Sequence, residues 1–377
     1  MHTEGFPETF FMPYPRFAAL ILLLGCLAST PVLAQAGSDL FPVRQGGKFG
    51  YMSTGGKVVI APQFDFADRF SDGVAPVIIG RKYGYINPAG KFVINPQFDY
   101  AWHFNGGIAM ILQENQFGYI NKQGAIVVKP QFDSASKEFR DGLALVKIGG
   151  PFGKWGFINT QGKYEINPQY AAALEFSSGM AAVKVDKTWG YVNKTGTFVV
   201  PASFDNARSF ADGFAAVQIN GKWGFIDTTG KLQINVQFED AREFRDGVAA
   251  VQFKTKWGYV DKRGKYVVNP QYDAVSNHFS DGLAQVLVKD TETWGYIDKK
   301  GNMVIAPTFQ QTTSFTEGTA AVRSAGKWGF ISKTGKFLVN PIFDDAEPFS
   351  AGIAAVEVKE KWGYIDKTGK YIWALSK

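Results

Sequence analysis

The sequence predicts an all-β protein built from about ten copies of one small antiparallel unit. A glycine that follows an aromatic residue recurs ten times, seven of the nine intervals between these glycines are 34 residues, and each copy holds three short apolar runs separated by turn residues. The recurring glycines are Gly50, Gly84, Gly118, Gly156, Gly190, Gly224, Gly258, Gly295, Gly329 and Gly363. A repeat of this length is typical of stacked architectures such as solenoids and propellers.

The copy that begins after Gly213 shows how the unit is organised. An apolar first strand over 214–219 leads into Asn220-Gly221, a pair that favours a type I′ hairpin turn because both residues tolerate positive φ. The second strand is predicted over 222–226. Residues 227–230 then form a turn that begins with Asp and ends with Gly, followed by a third strand over 231–235. Each unit is therefore expected to be a three-stranded antiparallel sheet.

Counting outward from these turns places Gly224 opposite Val217 and Ile234, with Trp223 and Phe225 on the other face. The third-strand position of Gln233 is apolar in most other copies, for example Val93, Val127, Val199 and Val267. A sheet that is apolar on both faces must be covered on both, so neighbouring units are expected to stack. The stack forms either an open superhelix (solenoid) or a propeller-like ring. Ten three-stranded units favour the open form, since propellers usually have 4 to 8 four-stranded blades.

Nine linkers of the form PQFDxAxxFxDG connect the units. Their aromatic residues, among them Phe98, Phe104, Phe238 and Phe244, are spaced so that they can cover the aromatic face of the adjoining sheet. The linkers are therefore expected to be packed against the sheets.

The N-terminal region differs from the array. Residues 17–28 form an apolar run of twelve residues, preceded by Arg16 and followed by a small-residue cleavage pattern that ends at Ala34. We expect a secretory leader over residues 1–34, a short linker over 35–40 and a single repeat array over 41–377. Translation starts at Met1 or Met12. Lipoprotein anchoring through Cys26 is the minor alternative to cleavage after Ala34.

These features narrow the function classes. The protein is expected to be exported, to the periplasm or the exterior, with no transmembrane segment in the mature chain because no second long apolar run follows. Cys26 is the single cysteine, so cleavage after Ala34 leaves no thiol chemistry. The mild positive charge is spread along the chain, which makes nucleic acid an unexpected partner.

The units resemble bacterial WG repeats, also called KWG repeats. The resemblance rests on the Lys-Trp-Gly-aromatic-aliphatic-Asp motif of 222–227 with its later Gly-Lys pair, and on its counterparts at 256–261, 327–332 and 361–366. It covers almost all of the mature chain. It implies a β-rich tandem array, often in exported or surface proteins, and it brings no catalytic residues.

Residues with catalytic or metal-binding chemistry are sparse in the array. His103 and His278 occupy one variable repeat position and are expected to face solvent. Recurrent Asp-Gly pairs, such as Asp212-Gly213, lack the alternating oxygen ligands of a calcium loop and are expected to form turns. We therefore expect no enzyme activity, no cofactor and no metal.

Two features could serve binding. The repeat tryptophans form either a structural ladder or a carbohydrate-binding platform. Lysine precedes the aromatic residue in seven of ten units, which predicts a positive row near the tips of the first hairpins. The longest tip offers Phe152 on a glycine-rich loop. The candidate partner-binding residues are Phe152, Lys154, Lys222, Lys256, Lys327 and Lys361.

The expected function is therefore a non-catalytic binding or scaffolding role in the bacterial cell envelope, with a protein or an anionic glycan (an envelope polysaccharide) as the partner. A purely structural repeat array is the alternative, and so is the carbohydrate platform.

Overall fold

The computed structural model describes residues 39–376, which fold into ten antiparallel sheets arranged as the blades of a β-propeller. The predicted leader over residues 1–34, with Met12 and Cys26, lies outside the described residues. Within each blade the three predicted strands follow one another, and we call them the first, second and third strands. Nine blades add a two-residue short strand ahead of the first strand.

The strand bounds repeat along the chain. The first strands are Leu40–Gln45, Ala75–Ile79, Ile108–Gln113, Leu143–Ile148, Met180–Val185, Phe214–Ile219, Val248–Phe253, Leu283–Val288, Thr319–Ser324 and Ile353–Val358. The second strands are Lys48–Ser53, Lys82–Ile86, Gln116–Asn121, Lys154–Asn159, Thr188–Asn193, Lys222–Asp227, Lys256–Asp261, Thr293–Asp298, Lys327–Ser332 and Lys361–Asp366. The third strands are Val58–Phe64, Phe92–Phe98, Ile126–Phe132, Tyr164–Tyr170, Phe198–Phe204, Leu232–Phe238, Tyr266–Tyr272, Met303–Phe309, Phe337–Phe343 and Tyr371–Ser376.

The short strands come from the linkers. They are Phe66–Ala67, Tyr100–Ala101, Ser134–Ala135, Ala172–Ala173, Asn206–Ala207, Asp240–Ala241, Ala274–Val275, Gln311–Thr312 and Asp345–Ala346. Each pairs with the first strand of its blade, so the predicted three-stranded unit gains a fourth strand in blades 2 to 10. Sequence periodicity missed this strand because two residues are too few to show an alternating pattern. A 3-10 turn over Gly150–Phe152 completes the secondary structure of the described region.

Both predicted turns are present. Asn220 and Gly221 have φ of 51° and 77°, as a type I′ turn requires. In the second turn the Gly230 amide donates to the Asp227 carbonyl and Gly230 has a φ of 83°. We call these the first turn, between the first and second strands, and the second turn, between the second and third strands. Because successive strands run antiparallel, the two kinds of turn lie on opposite faces of the array.

The predicted register is right for the first hairpin and wrong for part of the second. Val217 lies opposite Gly224, as expected, but Ile234 lies opposite Phe225 instead of Gly224. The next pair beyond the bulge joins Trp223 to Phe238, so the third strand carries two extra residues there. A β-bulge accommodates them, and it bends the third strand over the glycine.

The bulge explains why glycine follows the aromatic residue in every unit. A Cβ on Gly224 would lie 2.6 Å from the Ile234 carbonyl oxygen and 2.8 Å from the Val236 nitrogen. Both are backbone atoms, and real Cβ atoms essentially never come that close. All ten recurring glycines face the corresponding backbone, most at 2.4–2.7 Å and Gly363 at 2.8 Å.

Packing between blades uses the linker aromatics as predicted. Phe244 packs edge-on against Phe225 at 4.8 Å, and Phe104 packs in the same way against Tyr85 at 4.7 Å. These residues are buried, as are Phe98 and Phe238. The linkers therefore belong to the core that neighbouring blades share.

The array closes into a ring, so the propeller-like ring is confirmed and the preference for an open superhelix is wrong. The third strand of blade 10 contacts the first strand of blade 1, the same relation that third and first strands of adjacent blades have elsewhere. The Phe41 ring packs edge-on against the Tyr364 ring with 5.8 Å between ring centroids. Arg69 Nη2 of the first linker lies 3.6 Å from Glu347 Oε2 of the last linker. Nine of the ten blades have four strands, as propeller blades usually do, and blade 1 has three.

We call the boundary between blades 10 and 1 the seam. Blade 1 lacks a short strand there, and side chains of blade 10 take its place. In blade 2 the short-strand segment donates backbone N–H groups from Asp65 to the Ile78 carbonyl and from Asp68 to the Pro76 carbonyl. The matching carbonyls of blade 1 belong to Arg44 and Pro42, and they accept hydrogen bonds from the Ser376 and Tyr364 hydroxyls instead. The strand registers show that these carbonyls are equivalent, because Pro42 lies opposite Tyr51 in blade 1 as Pro76 lies opposite Tyr85 in blade 2.

The tightness of the bulge yields a stability prediction. Gly224→Ala is expected to lower the free energy of unfolding by roughly 3 kcal/mol, since the backbone of the third strand must shift to admit the methyl group. Gly221→Ala is the matched control. Its Cβ meets nothing within 4 Å, so only the positive φ opposes the change, at about 1 kcal/mol. Urea unfolding of both variants checks the prediction, and equal losses would contradict the packing argument.

Candidate functional site

The predicted lysine row is present on the first-turn face, but most of its charges are paired. Lys222 Nζ lies 2.7 Å from Glu239 Oε1, and Lys256 Nζ lies 2.7 Å from Asp273 Oδ1. Lys327 pairs in the same way with Asp344. Lys48 and Lys82 pair with carboxylates at the same spacing, Asp65 and Asp99. In every case the acid follows its lysine by 17 residues, in the linker to the next blade.

The second oxygen of each carboxylate holds the next blade. Glu239 Oε2 accepts the Lys254 backbone N–H at 2.7 Å, and Asp344 Oδ2 accepts that of Lys359 at 2.7 Å. The lysine belongs to the second strand of one blade, and the backbone amide belongs to the first turn of the next blade. We call the arrangement the lysine clamp. The pKa of Asp344 is held below its usual value, mainly by the hydrogen bond from the lysine and secondarily by the hydrogen bond from the backbone amide. The pKa values of Asp65, Asp99 and Asp273 are lowered for the same two reasons.

Lys154 and Lys361 differ from the rest of the row. Within residues 39–376 neither has a carboxylate oxygen within 4 Å. For Lys154 the reason is visible in the sequence, because the residue 17 positions later is Ala171. Lys154 therefore carries a charge that its own blade does not neutralise.

Phe152 sits beside Lys154 on a tip that hydrogen bonds hold in place. Its side chain is 94% exposed, far more than any other large apolar residue of the described chain. The Gly150 N–H donates to Asp133 Oδ2 at 2.8 Å, and Lys147 Nζ donates to the Pro151 carbonyl at 3.1 Å. Asp133 occupies the clamp position of its linker, but the lysine position there is Gln116, so this carboxylate serves the extended tip.

The opposite face carries the Asp-Gly turns. Asp212 and Gly213 have φ of 52° and 85°, which confirms the predicted turn. The Asp212 carboxylate accepts the Gly247 N–H of the next blade at 2.9 Å. The equivalent carboxylates of Asp72, Asp141 and Asp281 do the same. In the described part of the chain no group of three acidic, histidine or cysteine residues is arranged to hold a metal ion.

The two histidines are partly exposed, so the prediction that they face solvent holds only in part. His103 Nε2 lies 3.0 Å from Asp68 Oδ2 of the preceding linker. Burial lowers the pKa of His278, which favours its neutral form. The repeat position tolerates many residue types because it lies at a blade boundary, where each pair of linkers builds its own contacts.

The tryptophans line the boundaries between blades. Trp223 is buried, and the Arg208 guanidinium lies over its ring at 5.0 Å while donating to Asp240 Oδ1 at 2.9 Å. Arg242 covers Trp257 in the same manner at 5.1 Å. An open cavity of about 330 Å³ adjoins Arg208, and its lining residues are Leu174, Asn206, Ala207, Arg208, Ser209, Trp223 and Glu243. A ring covered by a guanidinium is not free to stack on a sugar.

Sequence reasoning identified the lysines but missed their partners. The signal was available, since an acid stands 17 residues after the lysine in the five paired units, while Thr293 is matched by the uncharged Gln310. It also missed the exposure of the third-strand residues. Val93 and Val199, taken to be covered, are about 40% exposed.

The lysine clamp predicts a pH dependence. The pKa of Asp99 is lowered in the folded protein, so its contribution to stability is complete above the ordinary aspartate pKa and is lost as pH falls through the lowered value. Asp99→Asn is expected to reduce stability at pH 7 by about 0.2–1 kcal/mol, as for an exposed ion pair, and to narrow the difference between pH 7 and pH 3.

Asp205→Asn is the matched control, because Thr188 stands at its lysine position. Thermal unfolding at the two pH values measures both variants. A pH response of Asp99→Asn identical to that of the parent chain would show that the clamp carries no stability.

The described region contains no helix long and apolar enough to cross a membrane. Among solved structures, a crystal structure of the eukaryotic initiation factor resembles the chain with a TM-score of 0.55 and 11% identity, over 78% of this chain and 93% of that one. Its likeness supports the propeller fold alone. The structure of Kluyveromyces lactis Hsv2p gives a TM-score of 0.37 at 10% identity, over 66% and 98% of the two chains.

No curated protein sequence matches the chain. The family model described as WG containing repeat matches nine consecutive segments, at residues 49–83, 83–116, 117–150, 155–189, 189–223, 223–256, 257–291, 294–328 and 328–362. These segments cover most of the sequence and follow the blade repeat. The chain therefore belongs to the family of WG-containing repeat proteins.

Proposed function

We propose that the protein is a non-catalytic scaffold of the bacterial cell envelope that binds a partner protein through its first-turn face. The observation that carries this proposal is Phe152, an aromatic side chain that is 94% exposed on a tip held by hydrogen bonds. A rigid, exposed aromatic residue is the kind of anchor that dominates the binding energy of protein interfaces. The envelope location rests on the leader predicted from the sequence.

The chemistry around Phe152 defines the partner. Lys154 is the row member whose clamp carboxylate is replaced by an alanine, Ala171. A cation that no described residue pairs with therefore stands next to the anchor. A partner that offers an apolar pocket with an acidic rim fits this pair. An anionic glycan along the whole row is less well supported, because binding it would require Lys222, Lys256 and Lys327 to leave their carboxylates.

A non-catalytic role agrees with the chemistry of the described residues. His103 lies against Asp68 of the preceding linker, and carboxylates such as Glu239 and Asp212 accept backbone N–H groups of the next blade. The repeat tryptophans contribute to packing between blades, which supports a scaffold more than a sugar platform.

The proposal is tested by isolating a partner from envelope fractions on the immobilised protein and then measuring its affinity for purified variants. Phe152→Ser and Lys154→Gln are each expected to weaken binding by about tenfold or more, as for interface anchors. Lys256→Gln is the matched control on the same face, and it is expected to leave affinity within about twofold because its charge is already paired. If all three variants bind as the parent does, the first-turn face is not the binding surface.

A further inference from the structure

A second row of lysines lies on the opposite face, and none of them forms an ion pair within the described residues. The residue after the glycine of each second turn is lysine in seven units, Lys57, Lys91, Lys163, Lys231, Lys265, Lys336 and Lys370. All seven side chains are exposed, and none lies within 4 Å of a carboxylate oxygen in the region from residue 39 to 376. This contrasts with the first-turn face, where the same residue type is held by clamps.

Exposed apolar residues follow these lysines. The first two residues of the third strand, directly after the lysine, include Val58, Val59, Phe92, Val93, Leu338 and Tyr371, each 38–48% exposed. Sequence patterning had assigned the second of these positions to a covered face. Instead, the start of each third strand forms part of the rim of the ring on the second-turn side.

Ring closure joins four of these units into one continuous patch. A Cβ on Gly56 of blade 1 would meet the Ile372 carbonyl of blade 10 at 2.4 Å, so Lys57 follows a turn that packs directly against the apolar pair of blade 10. A Cβ on Gly90 would meet the Ile60 side chain at 3.1 Å, and one on Gly369 would meet the Val339 side chain at 3.1 Å. Ile60 and Val339 are buried and directly follow the apolar pairs of their strands. Lysines and apolar pairs therefore alternate across blades 9, 10, 1 and 2. We call this surface the seam patch.

Three of the four second turns in the seam patch begin with an uncharged residue. The second turn begins with Ser53 in blade 1, Asn87 in blade 2 and Ser332 in blade 9, none of which is charged. In blade 10 it begins with Asp366, whose carboxylate accepts the N–H groups of its own turn. By contrast, Asp227 and Asp261 begin the turns that precede Lys231 and Lys265.

Two acids of the neighbouring linkers on this face are already engaged. Asp72 accepts the Gly107 N–H and pairs with Lys122 at 2.8 Å. Glu317 accepts the Gly352 N–H and pairs with Lys367 at 3.2 Å. None of the lysines of the seam patch is therefore paired with a carboxylate in the part of the chain that the structure describes.

We propose that the seam patch docks the protein on an anionic lipid surface. Lysine beside exposed aliphatic and aromatic residues is the combination that binds the headgroup region of such membranes, where the cations meet lipid phosphates and the apolar side chains enter the interface. Long lysine side chains can lie along the apolar residues and place their charges at the headgroups. This surface is distinct from the first-turn face of the proposed function and does not depend on it.

Two other occupants fit the patch less well. An added peptide strand needs a regular free edge, but the third strand is bulged and carries Pro62, Pro96 and Pro341 in the blades concerned. A second copy that docks by two-fold symmetry would bring the same lysines of both copies together, because such an interface uses one patch on both partners.

The test is sedimentation of the full chain with vesicles of 30% phosphatidylglycerol in phosphatidylcholine, and with pure phosphatidylcholine, at 0.05 and 0.5 M salt. The parent is expected to bind the anionic vesicles at low salt and to lose most of this binding at high salt. The triple variant Lys57→Gln, Lys91→Gln and Lys336→Gln is expected to bind at least tenfold more weakly, since each lysine near an anionic surface contributes roughly a factor of five.

The matched control removes the same charge from the other side of the ring, by Lys163→Gln, Lys231→Gln and Lys265→Gln, and is expected to change binding by less than about threefold. The apolar run at residues 17–28 is present in every variant, so its contribution cancels in the comparison. Thermal unfolding establishes that each variant remains folded.

Phe92→Ser, at an exposed position, tests the apolar component and is also expected to weaken binding to anionic vesicles. Equal losses in the two triple variants, or no binding by the parent to anionic vesicles, would overturn the proposal. A concentration-dependent dimer that only the seam triple abolishes would also overturn it, by assigning the patch to self-association.

Discussion

The structure depends on a close approach between each second turn and the third strand of the preceding blade. The turn glycine has a positive φ of 76–85° in all ten units, and a Cβ there would lie within 2.4–3.4 Å of the neighbouring blade. Glycine is therefore required at this position for two reasons: it adopts the positive φ without strain, and it has no Cβ to collide with the neighbouring blade. In blades 2 to 10 the neighbour is the buried aliphatic residue of the preceding third strand, such as Ile60 for Gly90. This contact sets the spacing of the blades.

The same contact closes the ring, with one change. At the seam Gly56 meets Ile372, and the residue after it, Trp373, stands where the other blades have isoleucine or valine. The bulge in the last third strand is one residue shorter, since Trp373 and Ser376 are three residues apart while Val339 and Phe343 are four apart. Larger side chains and two hydroxyl donors thus replace the missing short strand. The closing blade departs from the repeat where closure demands it.

Much of the fold could be predicted from the sequence, and the remainder has identifiable causes. Asn220-Gly221 and the turn that ends at Gly230 specify both hairpins locally, so the strand order followed directly. The bulge beside Gly224 could not be read from the turns, because counting outward assumes that a ladder continues without extra residues. Closure depends on contacts between Tyr364 and Pro42, which are 322 residues apart and share no local signal.

The candidate sites illustrate the same division. Phe152 was recognisable because an insertion places an aromatic residue in a glycine-rich tip. The ion pairing of the lysines also left a signal, an acid 17 residues later, but only the fold shows that this spacing brings the two side chains together. The fold pairs Lys222 with Glu239, whereas Lys57 is exposed and forms no ion pair with any residue between 39 and 376. Pairing across blades therefore determines which face of the ring presents positive charge.

Ring closure is the central claim, and a distance measurement tests it most directly. Spin labels at residues 57 and 370, in a chain with Cys26 replaced by serine, report the separation of blades 1 and 10. Labels at residues 336 and 370 report two adjacent blades within the array. A closed ring predicts similar, narrow distance distributions for the two pairs. A much longer or broad distribution for the 57–370 pair, with a narrow one for 336–370, would show that the array is open.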